Sequence, residues 1–158
     1  MVLHEIRVFF DADVLMAGSI SSSGASHILL RLSEYTVLKG MTSQQAVAEA
    51  ARNLQEKMPE GLPFFQRIVA VALETVPDPD PKDLEGFTGQ ADAKDLPILV
   101  GAIQHHARYL VTFNVRDYCP STAVIEVVRP GDFLFRVRQR LASLISEEEQ
   151  SSSSEEYS

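Results

Sequence analysis

The sequence predicts an α/β fold, a three-layer α/β/α sandwich with a mainly parallel central sheet. Short apolar runs alternate with longer helical segments along the 158 residues, which is the order that a parallel sheet with helical connections produces. The predicted strands are mainly apolar, as expected of strands that helices cover on both faces. The length suits a single domain with a sizeable core.

The predicted elements follow the order β-α-β-α-α-α-β-β-α. Apolar runs of strand length and helical periodicity define them. They cover residues 7–10 (strand), 27–34 (helix), 35–40 (strand), 42–58 (helix), 62–76 (helix), 94–107 (helix), 109–112 (strand), 123–128 (strand) and 131–146 (helix).

Capping and breaking residues support these boundaries. Ser26 is placed to cap the first helix, and Gly40 ends the second strand. The next helix has the clearest start, because Thr42 and Gln45 have the spacing of a capping box. Later in the chain, residues 77–92 are rich in proline and glycine and are predicted as an irregular connection. The helix that follows them has a proline in its first turn, and the last helix is amphipathic.

The net charge of -8 argues against broad electrostatic attraction to nucleic-acid backbones. Part of that charge is local, because residues 146–158 hold five glutamates and no basic residue. This segment is predicted to be a disordered acidic tail, which leaves residues 1–145 as a single domain.

Cysteine content and hydropathy indicate a cytoplasmic protein. The single cysteine, Cys119, excludes an internal disulfide and a thiolate zinc site. The amino terminus lacks the apolar run of a signal peptide, and no run is long enough to span a bilayer. We therefore expect a reducing compartment and no membrane partner.

Polar residues follow two of the predicted strands where each strand ends. Asp11 and Asp13 come directly after the first strand, and Asn114 and Asp117 follow the strand over 109–112. Taken alone, Asp11 is better explained as a cap where a strand gives way to a helix. The second polar cluster favours a functional site instead. The carboxyl ends of parallel strands share one sheet edge, and sites form at that edge. Carboxylates in one cleft repel one another unless a hard cation lies among them.

Two further acids lie at helix positions that allow a structural or a functional role. Glu49 lies opposite the apolar stripe of the helix over 42–58, so a solvated and a functional glutamate are equally well supported. Asp95 precedes an apolar helix and is well placed as its N-cap, although Asp92 offers another cap. A capping aspartate can also face a metal.

Three segments together resemble PIN domains, the small metal-dependent ribonuclease fold that includes the toxins of bacterial toxin–antitoxin pairs. They are "FFDADVL", "TSQQAVAEAARNL" and "KDLPILVGAIQHHARYLVTFNVRDY", in consistent order between Arg7 and Arg129. The resemblance assigns the first three acids of the family to Asp11, Glu49 and Asp95, the fourth to Asn114 or Asp117, and a hydroxyl beside the site to Thr112.

One position departs from the family. Many relatives have an aspartate where this chain has Asn114. An asparagine offers a cation only a neutral carbonyl, so one negative charge is lost unless Asp117 supplies it.

The resemblance implies a metal-dependent endoribonuclease with an RNA substrate. A ligand set of carboxylates favours Mg²⁺ or Mn²⁺ over zinc. The family also implies an antitoxin partner for its toxin members and a homodimer. One alternative is a catalytically weakened PIN-like module that binds RNA or protein. A second is a doubly wound signalling domain with a phosphoacceptor aspartate, which the absence of a strand-end lysine disfavours.

Overall fold

The computed structural model of the chain describes residues 3–156. Its main elements are β1 (Arg7–Phe10), α1 (Ala12–Ile20), α2 (Ala25–Glu34), β2 (Lys39–Ser43), α3 (Gln44–Lys57), α4 (Leu62–Val71), β3 (Glu74–Val76), α5 (Leu96–Gln104), β4 (Tyr109–Val111), β5 (Glu126–Val128) and α6 (Pro130–Glu156). Short 3-10 turns join some of these elements, among them Pro81–Phe87 and Val115–Asp117.

The five strands form one parallel sheet in the order β3-β2-β1-β4-β5. The predicted α/β fold with a parallel sheet is therefore confirmed. The chain moves outward from β1 to β3 on one side, then returns to the other side of β1 with β4. Ligands of open parallel sheets bind where the strand order reverses, beyond the carboxyl ends of the strands. In this sheet that place is the crevice between β1 and β4.

The core is built around β1. Val8, Phe9 and Phe10 are fully buried, as expected for the central strand of a covered sheet. Helices α1, α2, α3 and α4 contact one another and form one layer. Right-handed crossovers with this strand order place α5 on the opposite face. The buried central strand is what holds the following residue, Asp11, at a fixed point of the sheet edge.

Helix α1 was not predicted from the sequence. Its nine residues include Val14, Leu15, Met16 and Ile20 and are apolar on most sides, so no amphipathic stripe marks them. Asp11 caps this helix through its side chain, which accepts from the backbone N–H of Ala12 at 2.8 Å. The strand therefore passes directly into a helix at Asp11.

The second strand was predicted about four residues too early. The structure places β2 at Lys39–Ser43, so Thr42 lies in the strand and its hydroxyl donates to the Phe10 carbonyl at 2.9 Å. The capping-box prediction was therefore wrong at Thr42. Ser43 is the N-cap of α3, and it accepts from the Ala46 N–H at 3.2 Å.

The apolar segment 62–76 was predicted as one helix, but it divides into α4 and β3. A continuous apolar run does not reveal where helix gives way to strand. Two smaller predictions were also wrong: α2 begins at Ala25 with Gly24 as its N-cap, and the last strand is shorter than residues 123–128.

The last helix continues beyond its predicted end at residue 146. Helix α6 extends to Glu156 through most of the segment predicted as a disordered tail. That segment contains no proline or glycine, and glutamate and glutamine are good helix formers. The side chains from 138 to 153 are exposed, so this half of α6 lies outside the core, and a domain boundary near residue 145 stays a prediction.

Within residues 3–156, none of the helices combines the length and apolar content that crossing a bilayer requires.

Candidate metal centre

Asp11 is held at the crevice between β1 and β4 by contacts on both of its carboxylate oxygens. Its backbone N–H donates to the Val111 carbonyl at 3.1 Å, which continues the pairing of the two strands. Oδ1 accepts from the Ala12 N–H, and Oδ2 accepts from the hydroxyls of Thr112 at 3.0 Å and Tyr118 at 2.7 Å. With 7% of its surface exposed, Asp11 is a buried and tightly oriented carboxylate.

Asp13 lies beside Asp11 and shares the Thr112 hydroxyl with it. Its Oδ2 accepts from the Phe113 N–H at 2.9 Å and from the Asn114 side-chain amide at 3.1 Å, and lies 3.2 Å from the Thr112 hydroxyl. That hydroxyl has one proton for two carboxylates. Burial raises the pKa of Asp13 to about 6, and the neighbouring charge of Asp11 adds to the shift.

Tyr118, on the segment after β4, contacts Asp11 in the crevice. Its side chain is buried, and its hydroxyl donates to Asp11. Burial raises the pKa of Tyr118 far above its usual value, and the charge of Asp11 raises it further. The phenol is therefore protonated at any ordinary pH and serves as a fixed hydrogen-bond donor.

A backbone pairing between two loops brings in further acids. Ala91 and Tyr118 form an isolated antiparallel bridge. The Asp92 N–H donates to the Asp117 carbonyl at 2.9 Å, and the Cys119 N–H donates to the Gln90 carbonyl at 2.6 Å. The loop before α5 is thereby fixed to the segment after β4, and Asp92 and Asp117 become neighbours.

Asp92, Asp95 and Asp117 form an acidic cluster in which one carboxylate oxygen of each lies within 4.8 Å of the others. Asp95 is the N-cap of α5 without a side-chain capping bond. Burial raises its pKa to about 6, with the charge of Asp11 as the next cause and those of Asp117 and Asp92 as lesser ones. Asp95 thus couples the cluster electrostatically to Asp11.

The donor set of this centre fits a hard divalent cation. Two buried carboxylate oxygens, Asp13 Oδ1 and Asp95 Oδ2, accept no hydrogen bond from the described part of the chain. A buried anionic oxygen without a partner is costly, and a cation next to Asp95 removes that cost. The convergent oxygens are those of carboxylates, which suit Mg²⁺ or Mn²⁺.

Glu49, the second acid that the resemblance assigns, lies on α3. It is exposed and lines a cavity of about 460 Å³ with Gln45, Arg52 and Asp78. One turn before it, the Gln45 side chain donates to the Lys94 carbonyl at 3.1 Å, which joins α3 to the start of α5. The acidic cluster itself contains Asp92 rather than Glu49.

Asn114 is directed to Asp13 rather than to the cluster. Its side-chain amide donates to Asp13 Oδ2, and its backbone N–H donates to the Thr112 hydroxyl at 3.1 Å. Of the two candidates for the fourth acid position, Asp117 is the one whose carboxylate lies in the cluster.

Sequence reasoning missed two residues of this centre. Asp92 was considered only as an alternative helix cap, and Tyr118 was not considered at all. The sequence offered one signal for Asp92, its place three residues before Asp95. At that spacing the two residues form a turn, in which the Asp92 carbonyl accepts from the Asp95 N–H at 2.9 Å. Tyr118 directly follows Asp117, but no periodic pattern marked it as buried.

Comparison with known proteins supports the resemblance seen in the sequence. Residues 7–116 match the family model of the PIN domain. Among curated proteins, no match to the chain was found.

The fold is similar to that of a chain in the crystal structure of VapBC2 from Rickettsia felis bound to a DNA fragment from their promoter. The TM-score is 0.53 at 17% sequence identity, and the match covers 77% of this chain and 98% of that chain. At this identity the likeness concerns the fold.

Proposed function

Because the chain belongs to the PIN domain family, we propose that it is a divalent-metal-dependent endoribonuclease whose metal lies in the crevice between β1 and β4. One observation carries this proposal: Asp92, Asp95 and Asp117 converge within 4.8 Å beside Asp11. Such a concentration of carboxylates, with a partnerless buried oxygen on Asp95, is the arrangement that a hard cation stabilises.

Asp11, Asp95 and Asp117 are the residues that would hold the metal, with Asp92 as a further ligand and Glu49 at the edge of the centre. A bound Mg²⁺ or Mn²⁺ supplies an activated water and neutralises the charge that develops on a phosphodiester. The chain itself orients the ligands: Thr112 and Tyr118 fix Oδ2 of Asp11. Such outer contacts set the direction in which a carboxylate binds.

The acids of the centre repel a phosphodiester, so contacts to the RNA must come from basic residues around it. Lys94 and Arg116 are exposed and adjacent in sequence to Asp95 and Asp117. Their positive charges are placed at the rim, where they would attract phosphates without entering the carboxylate cluster. A cytoplasmic location, as the sequence predicts, suits an RNA substrate.

An antitoxin-type protein is the partner that the comparisons favour. The structural neighbour is part of VapBC2 bound to DNA, and the family includes toxins of toxin–antitoxin pairs. A toxic nuclease requires a protein that blocks or covers its site. The acidic crevice and the exposed Phe113 beside it form a surface that such a protein would cover.

A non-cutting PIN-like module that binds RNA or protein is the second candidate. Asn114 favours it, because a neutral amide replaces an acid and donates to Asp13. Asp92 and Asp117 weigh against it, because they restore the negative charge within the cluster.

A nuclease assay with and without Mn²⁺ separates these functions. We expect the wild-type chain to cut single-stranded RNA only with the metal, and Asp11→Asn to lose that activity while still folding. Glu56→Gln, which removes an exposed charge at the far end of α3, serves as the control and should cut normally. RNA binding without metal-dependent cutting in the wild-type protein would instead establish the second candidate.

A further inference from the structure

A cavity lies at the edge of the sheet opposite to the candidate metal centre. Ile6 and Arg108 directly precede β1 and β4, whose amino ends lie side by side in the parallel sheet. Both residues line this cavity, which has a volume of about 370 Å³. Because the four residues of β1 span about 13 Å, the cavity at the amino ends and the crevice at the carboxyl ends are separate places.

One face of α6 forms another side of the cavity. Phe133, Arg136, Val137 and Arg140 line it, and their spacings of three and four residues place them on the same side of the helix. Phe133 and Val137 are buried, and the Phe133 ring packs against that of Tyr109 with the two centroids 4.8 Å apart. The helix therefore supplies both an apolar wall and two guanidinium groups.

Positive charge is concentrated around the cavity, although the chain has a net charge of -8. Arg108, Arg136 and Arg140 line it, and the lining contributed by residues 3–156 contains no acid. Glu126 forms an ion pair with Arg136. Arg108 is exposed, and its guanidinium forms no ion pair with an acid of the described residues. Like charges around one cavity repel one another, and an anion between them removes that cost.

The lining favours an anion that also has an apolar body. Guanidinium groups bind phosphate through paired N–H donors, and a phosphate monoester carries nearly two negative charges at pH 7. The wall formed by Phe133, Val137 and Ile6 favours a flat, weakly polar group. Small-molecule sites have volumes of about 300–1,000 Å³. This cavity lies near the lower end of that range, so it suits one nucleotide rather than a longer strand.

We propose that this cavity binds a nucleoside monophosphate, with the phosphate between Arg108 and Arg140 and the base against the apolar wall of α6. Arg136, which Glu126 orients, borders the same space. The cavity shares no lining residue with the cluster of Asp92, Asp95 and Asp117 within the described part of the chain. The proposal therefore stands whether or not the chain cuts RNA.

Calorimetric titration of the full chain in EDTA tests this proposal, because without metal the acidic crevice repels a phosphate. The ligands are AMP, GMP, CMP and UMP, the four corresponding nucleosides, and inorganic phosphate. We expect at least one nucleotide to bind at least tenfold more tightly than its nucleoside and than inorganic phosphate. Only the nucleotide uses both the arginines and the apolar wall.

Arg108→Gln and Arg140→Gln should each weaken nucleotide binding by about tenfold, because each removes charge-assisted hydrogen bonds to the phosphate. Arg138→Gln is the matched control. It removes the same charge from the same helix, but Arg138 is exposed and does not line the cavity, so this variant should bind as the wild type does. Far-UV circular dichroism checks that each variant keeps its helices.

Failure of all four nucleotides to bind the wild-type chain would overturn the proposal. Equal affinities for the nucleotides and inorganic phosphate would show a site for a bare anion and would overturn it as well. If Arg138→Gln lost as much affinity as Arg108→Gln, the effect would be one of net charge, and the assignment to this cavity would be wrong.

Discussion

The Tyr118 hydroxyl donates a 2.7 Å hydrogen bond to Oδ2 of Asp11, although 107 residues separate them in the chain. The bond joins the end of the central strand to the segment that also carries Asp117. Since the bridge between Ala91 and Tyr118 holds the loop with Asp92 in place, one tyrosine connects all parts of the acidic centre.

Tyr118→Phe should weaken metal binding while leaving the fold intact. The variant removes one donor from Asp11 Oδ2 and leaves the Thr112 hydroxyl as the other. Loss of a contact that orients a ligand costs about 10- to 100-fold in metal affinity or activity. A calorimetric titration with Mn²⁺ measures the affinity.

Tyr35→Phe is the matched control, because Tyr35 is 60% exposed and its hydroxyl contacts Arg31 on the surface. It should bind Mn²⁺ as the wild type does. If Tyr118→Phe bound Mn²⁺ equally well, Tyr118 would be a packing residue with no part in orienting Asp11.

Gly18→Ala should destabilise the fold by about 1–3 kcal/mol. An added Cβ at Gly18 would lie 2.5 Å from Leu30 Cδ1 and 3.1 Å and 3.2 Å from backbone atoms of Ser26 and His27. The close approach of α1 and α2 depends on this glycine. Gly131→Ala is the control, because nothing lies within 4 Å of its added Cβ. Chemical denaturation of both variants measures the difference, and equal stabilities would contradict the tight packing.

The sheet could be predicted from the sequence because β1 and β4 are short, mainly apolar runs that polar residues follow. Helix α1 could not, since a helix that is apolar on most sides lacks the periodic signal on which such predictions depend. Strand β3 was hidden for a different reason, because no proline or glycine marks the boundary between α4 and its three residues. Contacts with the rest of the fold, rather than a local sequence pattern, determine where α1 and β3 form.

The candidate site could be predicted in part. Asp11 and Asp117 were found because parallel strands end at a common edge, and the structure places both in or beside the centre. Asp92 and Tyr118 depend on a bridge between two irregular loops. Such a pairing leaves no pattern in a single sequence, so it was visible only in three dimensions.

Without metal, Asp95→Asn should raise the thermal stability at pH 7.5. The pKa of Asp95 is raised to about 6 from 3.8, chiefly by burial. Its protonated form therefore stabilises the fold below about pH 4, and this contribution is lost as the pH rises through 6. In EDTA, the variant should melt at a higher temperature than the wild type at pH 7.5. The difference between their melting temperatures should disappear below pH 5.

Mn²⁺ should reverse that order at pH 7.5, because a bound cation stabilises the native state and favours the charged carboxylate. The wild type should then melt at the higher temperature. The Glu56→Gln variant, with a charge lost outside the centre, controls for net charge. An Asp95→Asn variant that follows the wild type at every pH, with and without Mn²⁺, would show that Asp95 neither titrates near 6 nor binds the metal.

Asp117→Asn should reduce metal-dependent cleavage more than Asn114→Ala does. The Asp117 carboxylate lies in the cluster with Asp92 and Asp95, whereas the Asn114 amide donates to Asp13. A hard cation gains most from anionic oxygen, so the loss of the charged ligand is the greater loss.

Asn114→Asp tests the same assignment from the opposite direction. It introduces the acid that the resemblance to PIN domains leads us to expect at this position, and we expect cleavage to be preserved or raised. Its new carboxylate would replace a hydrogen bond to Asp13 with a repulsion, so the gain requires that a cation lie close enough to offset it. Rates at several Mn²⁺ concentrations separate affinity from turnover. Should Asp117→Asn leave both the rate and the Mn²⁺ dependence unchanged, Asp117 is only a turn residue, and the fourth ligand must be sought at Asp92 or Glu49.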